Sequence, residues 1–160
     1  MAGITFTPIG VVRSPFRDPR NMPVQPVGAR GVRGTIELDP AYAAGLKDLA
    51  GFSRIILLYH FHRSEGYALE VVPFLDTTPH GVFATRAPRR PNAVGLSILR
   101  LVTVEGTTLH VEDVDILDGT PVLDIKPYVP AFDAYPDERS GWLAVAGDAS
   151  RTMRSDDRFC

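Results

Sequence analysis

Apolar positions in this chain fall into short blocks, most of them closed by glycine or proline before a third helical turn could form. Ile4–Arg13 (ITFTPIGVVR) is β-branched and partly alternating, which predicts a strand whose start Pro8 places near a sheet edge. Gly34–Leu38 (GTIEL) predicts a second. Ser53–His62 (SRIILLYHFH) is almost continuously apolar, the length of a buried strand or of the seam of a barrel or sandwich. Leu69–Leu75 (LEVVPFL) predicts a short strand broken at Pro73, and Val82–Thr85 a strand-like entry to the loop that follows. Leu96–Val104 and Thr108–Leu117 face each other across Glu105-Gly106-Thr107, a hairpin signal. Helical spacing shows once, in Tyr42, Leu46 and Leu49, with Asp39 as N-cap, Pro40 at the first position and an end near Gly51. The pattern predicts a mainly β domain with one or a few short helices and long Pro/Gly-rich loops.

Composition sharpens this picture. The 160 residues include 14 glycines and 14 prolines, enough to cut the chain into many strands and turns. A chain of this size is most simply one domain that buries roughly two-thirds of its unfolded surface. With 44% apolar and 22% charged residues it is globular, and a net charge of −2 leaves any nucleic-acid contact to local patches. Cys160 is the only cysteine, which excludes an internal disulfide and a cysteine metal cage and fits a reducing compartment. The start, MAGITFTPIGVVRS, has no basic region followed by an apolar core, and no apolar run nears the ~20 residues of a membrane span. A soluble cytoplasmic protein is therefore expected. Residues 1–143 read as the domain and 144–160 as a loosely held polar tail. Tyr128–Leu143, aromatic and broken by proline, suits a covering segment or a subunit contact.

Chemistry concentrates in four places. In VFATRAPRRPNAVGL (Val82–Leu96), Pro88 and Pro91 stiffen a loop carrying Arg86, Arg89 and Arg90, a rigid mount for guanidinium groups. Ser14–Gly34, with four prolines, is a long loop in which Pro23–Gly28 (PVQPVG) could lay its backbone against a ligand. His60 and His62 stand two apart at a strand end and share a face, which suits a ligand contact, a general base or half of a metal site. In DVDILDGTPVLD, Asp113, Asp115, Asp118 and Asp124 crowd a turn; the spacing is not that of a calcium loop, and it fits either turn capping or hydrogen bonds to ribose hydroxyls or an adenine amino group. No GxGxxG, GxxxxGK[ST] or GxSxG motif is present.

Four stretches, IGVVRSPF, GFSRIILLYHFHR, GVFATRAPRRPNAVGLS and DVDILDGTPVLDIKPYVP, resemble the TrmO family of tRNA methyltransferases over roughly Ile4 to Asp133. The paired motifs ATRxxxRPNxxGLS and DGTPxxDIKPY carry most of the specificity. The resemblance implies a single-domain antiparallel β-barrel, an S-adenosylmethionine cofactor held near the contact of a homodimer, and methylation of N6 of N6-threonylcarbamoyladenosine at position 37 of threonine tRNA. It also implies site residues. Pro26, Val27 and Gly28 match the cofactor-contacting loop, with Val27 a departure where glycine is common. His62 and Arg63 match a strand-end pair, Arg86 the ATR arginine, and Leu96 the apolar residue after the RPN loop. The turn Asp115, Ile116, Leu117, Asp118, Gly119 and Thr120 matches the segment that holds the adenosine portion. His60, His62 and Asp118 are the candidate proton acceptors, and Arg89, Arg90, Asn92 and Tyr128 the candidate RNA contacts. No counterpart of the extra C-terminal domain of some bacterial members is expected within these 160 residues. A non-catalytic nucleotide- or RNA-binding barrel, or a metal-dependent hydrolase using His60, His62 and the aspartates, are the other function classes these residues allow.

Overall fold

The computed structural model describes residues 1–146, 149 and 151–159; Cys160 lies outside the described residues. In chain order the strands are β1 (Gly10–Arg13), β2 (Arg33–Leu38), β3 (Arg54–His60), the short β4 (Glu70–Val71) and β5 (His80–Gly81), then β6 (Val94–Glu105), β7 (Thr108–Glu112) and β8 (Pro121–Pro127). Six of them close an antiparallel barrel in the order β1-β2-β7-β6-β3-β8, while β4 and β5 form a separate two-stranded ribbon. Two single-turn helices follow, α1 (Pro130–Asp133) and α2 (Leu143–Ala146).

Closure follows from the period-2 pattern, because alternate side chains point to one face of each strand. β3 turns Ile55, Leu57 and Tyr59 inward, β6 supplies Leu99 and Leu101, and β7 supplies Leu109 and Val111. Val12, Ile36 and Val122 complete the filling from β1, β2 and β8. Each large aliphatic side chain buried this way contributes about 1.5–3 kcal/mol. The β6–β7 hairpin turns at Gly106, whose φ of 61° is the left-handed region the tight turn requires.

At one end of the barrel the packing is shaped for a cavity. Tyr59 lies opposite Gly95 in the β3–β6 register. A Cβ on Gly95 would overlap the Tyr59 ring, so only glycine lets this tyrosine lie flat against the strand. Between Leu58 and Tyr59 the β3–β8 register slips, pairing Leu58 with Asp124 but Tyr59 with Val122. The slip bends the sheet at the rim, a common device beside a site.

Several local expectations change. The first strand spans only Gly10–Arg13, with residues 4–8 exposed; Pro8 has no amide to add, although Ile9 still donates to the Val122 carbonyl. The expected helix after Asp39 is two 3₁₀ turns, Pro40–Leu46 and Leu49–Gly51, of which only Leu49 is buried. Asp39 does cap the first, accepting from Ala41 N, but Asp48 enters the left-handed region at φ 68° and breaks the helix. Val82–Ala84 is a 3₁₀ turn in place of a strand entry, because Thr85 N and Oγ1 both donate back to the Val82 carbonyl. The strand expected over Thr108–Leu117 stops at Glu112, where Asp113 takes φ 67° and leads the chain out of the ladder.

The tail differs most. Residues expected to be loose fold back on the Ser14–Gly34 loop. Asn21 N donates to Ser155 O and Ser155 N to Met22 O, both at 2.7 Å. The Ser155 hydroxyl donates to Pro19 O (2.6 Å) and accepts from Met22 N (2.7 Å). Phe159 meets Phe74 edge-on at 5.2 Å, and Arg158 covers the same ring while donating to Pro73 O.

Candidate active site

A cavity of about 810 Å³ opens at the rim where Tyr59 and Gly95 meet. The barrel contributes Tyr59, Gly95 and Leu96, the strand-end turn contributes Phe61, His62 and Arg63, and the arginine loop contributes Thr85, Arg86 and Arg90. Asp115, Ile116, Leu117 and Thr120 form another wall, and Gln25, Ser155 and Phe159 close the far side. Trp142 belongs to this lining. Its indole stacks on His80 at 4.4 Å and donates Nε1–H to the Ala84 carbonyl, so the aromatic C-terminal segment does cover part of the site.

The fold thus gathers residues from segments far apart in sequence. His62, Arg63, Arg86, Leu96, Asp115, Ile116, Leu117 and Thr120 all line one cavity, as expected of a single ligand site. Pro26, Val27 and Gly28 do not line it; they form a 3₁₀ turn immediately behind Gln25, which does. Asp118 and Gly119 lie outside the lining as well, because they build the turn. Asp118 accepts from Ser14 N and its amide donates to Phe16 O, while Gly119 supplies the φ of 79°.

Of the three candidate proton acceptors, His62 lines the cavity while His60 and Asp118 do not. Asp118 is a turn-forming carboxylate, and His60 ends β3 exposed, outside the cavity lining. His60 and His62 are not a matched pair, since the strand ends at His60 and His62 N folds back to the His60 carbonyl. Among the described residues, no three His, Cys, Asp or Glu side chains gather as a metal set, so the aspartates do not supply the hydrolase site considered above.

The RNA candidates separate too. Tyr128 donates its amide to Arg54 O at the start of β3, a strand's length from the rim where β3 ends. Asn92 is exposed on the arginine loop, and Arg89 is half-buried there. Arg90 lines the cavity, but its Nη1 donates to the carbonyls of Thr85 and Ala87 at 3.0 Å and braces its own loop. One nitrogen of the Arg90 guanidinium, a candidate RNA contact, is thus committed to its own loop. Tyr59 is enclosed in the core and hydrogen-bonded, so it offers no face for a stacked base.

Of the four crowded aspartates, three are occupied structurally. Asp113 accepts from Gly31 N and from Arg54 Nη1, Asp118 from Ser14 N, and Asp124 from Ile125 N beside Lys126. Asp115 alone faces the cavity. Ser97 Oγ donates to its Oδ1 at 2.7 Å, and Tyr59 Oη lies 3.0 Å from the same Ser97 oxygen. Burial pushes the Asp115 carboxyl up to about 7 against the Ser97 hydrogen bond and the Arg86 charge, which pull it down. Burial, aided by the Asp115 charge, likewise raises the Tyr59 hydroxyl. His62 is held below the ordinary imidazole range by burial, with His60 and Arg63 adding to the effect.

Sequence reasoning missed Ser97, a single serine in an apolar strand, and Ser155, whose partners lie more than a hundred positions away. The first had a signal in retrospect, since a serine at an inward position of β6 demands a polar partner.

The model of the tRNA-methyltransferase O N-terminal domain matches residues 11–134, which span the barrel and its rim loops. A probable S-adenosyl-L-methionine-binding protein of Pyrococcus abyssi is 50% identical over 156 residues, covering 98% of this chain and 85% of its own. The tRNA (adenine(37)-N6)-methyltransferase of Escherichia coli is 34% identical over 163 residues, covering 96% of this chain and 69% of its own. The crystal structure of TrmO from Pseudomonas aeruginosa superposes with a TM-score of 0.74 at 41% identity, over 88% of this chain. The chain spans 63% of that structure's length. The barrel and the arginine loop fall inside the matched region, and the chain belongs to the TrmO family.

Proposed function

We propose that the protein is an S-adenosylmethionine-dependent methyltransferase acting on N6 of adenine 37 in tRNA, and that its substrate is the N6-threonylcarbamoyl form in threonine tRNA. The observation that carries this reading is the convergence of His62-Arg63, Arg86, Leu96 and the Asp115–Thr120 turn on one cavity. Its volume of about 810 Å³ suits a nucleoside-sized ligand with room for part of a second. The donor set also fits this cofactor. Arg63 and Arg86 offer cations for its carboxylate, Phe61 and Leu96 offer apolar surface for a purine, and Ile116, Leu117 and Thr120 lie within the same wall.

The cofactor supplies a methyl group on a sulfonium, ready for in-line displacement. The protein's work is then placement and water exclusion. Arg86, fixed by Gln25, orients the cofactor's carboxylate end, and the rigid Pro88–Pro91 loop holds the arginine at a set distance. His62, kept neutral by burial, accepts a hydrogen bond without adding positive charge near a cation. The tail and Trp142 exclude solvent from the far side.

The exposed apolar side chains Phe83, Val94 and Leu143 also line the cavity. We assign them to the contact of a homodimer. Calorimetry with S-adenosylmethionine tests the cofactor, and absence of binding at millimolar ligand would remove it. Mass spectrometry of nucleosides from threonine tRNA incubated with the protein tests the substrate. Methyl gain on the threonylcarbamoyl nucleoside is expected, and methylation of unmodified adenosine alone would overturn the finer claim.

A further inference from the structure

We propose that the Asp115 carboxylate takes the proton released from the adenine exocyclic nitrogen during methyl transfer, with Ser97 and Tyr59 positioning it. This rests on the function proposed above. The geometry carries it in three steps. Asp115 is the one aspartate of its cluster that faces the cavity, the other three being held by backbone amides or structural cations. Its Oδ1 is fixed by Ser97 Oγ, and Ser97 is 1% exposed within the barrel core. Ser97 has one proton and spends it on Asp115, so the Tyr59 hydroxyl, itself 6% exposed, is the donor in the 3.0 Å contact behind it.

A buried tyrosine–serine pair inside an otherwise aliphatic barrel is expensive unless both groups are satisfied. Phenylalanine and alanine would fill the same space without that cost. The pair makes sense as a fixed chain of donors that ends on a carboxylate oxygen at the cavity wall.

The charges around Asp115 suit proton transfer. Tyr59 faces it from β3, Arg86 from the arginine loop, and His62 and Arg63 share its cavity. Arg86 and Ser97 favour the ionised carboxylate while burial favours the protonated one, so the group can accept a proton and release it near neutrality. The balance of the step is simple. The N–CH₃ bond forms as the S–CH₃ bond breaks and its electron pair stays on sulfur. The N–H proton moves to Asp115, which goes from −1 to neutral as the sulfonium loses its charge.

Carboxyl-labelled aspartate NMR on the protein without ligand is the first test. One aspartate is expected to titrate near pH 7, to vanish in Asp115→Asn and to move upward in Ser97→Ala. Absence of any aspartate titrating above the ordinary carboxylate range would overturn the assignment. The second test pairs calorimetry with single-turnover methylation. Asp115→Asn is expected to hold S-adenosylmethionine within about tenfold of wild type while the methylation rate falls by about 10²–10⁴. Ser97→Ala should shift the acid limb of the pH–rate profile upward, and Ser97→Thr should restore it. An unchanged rate in Asp115→Asn with cofactor bound would overturn this role and leave the methyltransferase reading intact. Failure of the wild-type protein to bind cofactor would instead overturn that reading and the role with it. Loss of the pH limb in His62→Gln but not in Asp115→Asn would move the role to His62.

Discussion

Arg86 Nη1 donates to Gln25 Oε1 at 2.9 Å, joining two loops 61 positions apart that both line the cavity. A neutral amide is a weak partner for a guanidinium, so the charge of Arg86 remains largely available to a ligand carboxylate. The side chain is exposed, so its loss should change folding stability by less than about 0.5 kcal/mol. Arg86→Ala is therefore expected to weaken S-adenosylmethionine binding by about 10–100-fold in calorimetry while the melting temperature holds. A collapse of the melting temperature without ligand would make Arg86 structural.

Asp115 sets a pH dependence of folding. Its carboxyl titrates at about 7 in the fold and near 3.8 when unfolded, so between these values the folded state binds more protons. Stability from this group is fully present below about pH 3.8 and is lost as pH rises through about 7. Asp115→Asn removes the loss, and at pH 8 the variant should be more stable than wild type by about 1–2 kcal/mol, after allowance for partial solvent access. The difference should disappear near pH 4. Denaturant unfolding at the two pH values measures it, and a variant less stable at pH 8 would contradict the sign.

Gly10 and Gly45 should respond oppositely to the same substitution. A Cβ at Gly10 would sit 2.5 Å from the Glu37 carbonyl oxygen and 3.0 Å from Leu38 Cα, against the backbone of β2. Gly10→Ala is expected to cost about 1–3 kcal/mol. At Gly45 nothing lies within 4 Å, and Gly45→Ala should be neutral or slightly stabilising. Equal thermal shifts for the two would show that β1 can slide to make room.

Ser155 is the pin of the tail. Its hydroxyl and both its backbone groups bond to residues Pro19–Met22. Ser155→Ala removes the two hydroxyl bonds, each worth about 1 kcal/mol. Hydrogen exchange at Asn21, Met22 and Ser155 should speed up with the barrel amides unchanged. Slower cleavage of the tail by a protease than in wild type would refute the role.

How far the sequence reached depends on the range of the interaction. Ser53–His62 was legible because its apolar run reflects burial along one strand, and Gly106 because a tight turn needs a left-handed residue locally. The site motifs were legible as a resemblance, which brought His62, Arg86 and Asp115 to one ligand. Which aspartate faces the cavity was not legible, since Asp113, Asp115 and Asp118 differ only in partners supplied by Gly31, Ser97 and Ser14. Val82–Thr85 misled because its β-branched residues close a turn through the Thr85 hydroxyl, a side-chain bond that overrides propensity. The docking of the tail left no local trace, as Ser155 meets Met22 across 133 positions.

That docking divides the cavity into halves of different kinds. The barrel side includes Tyr59 and Ile116, which also belong to the core, so a substitution at either disturbs folding and function together. The half contributed by Ser155, Asp156 and Phe159 rests on the body through loop contacts and adds nothing to the barrel's strand ladder. Substitutions at Ser155, Asp156 and Phe159 therefore leave the barrel's strand pairing untouched. Within this architecture one side of the pocket can vary in sequence while the barrel that frames it stays fixed.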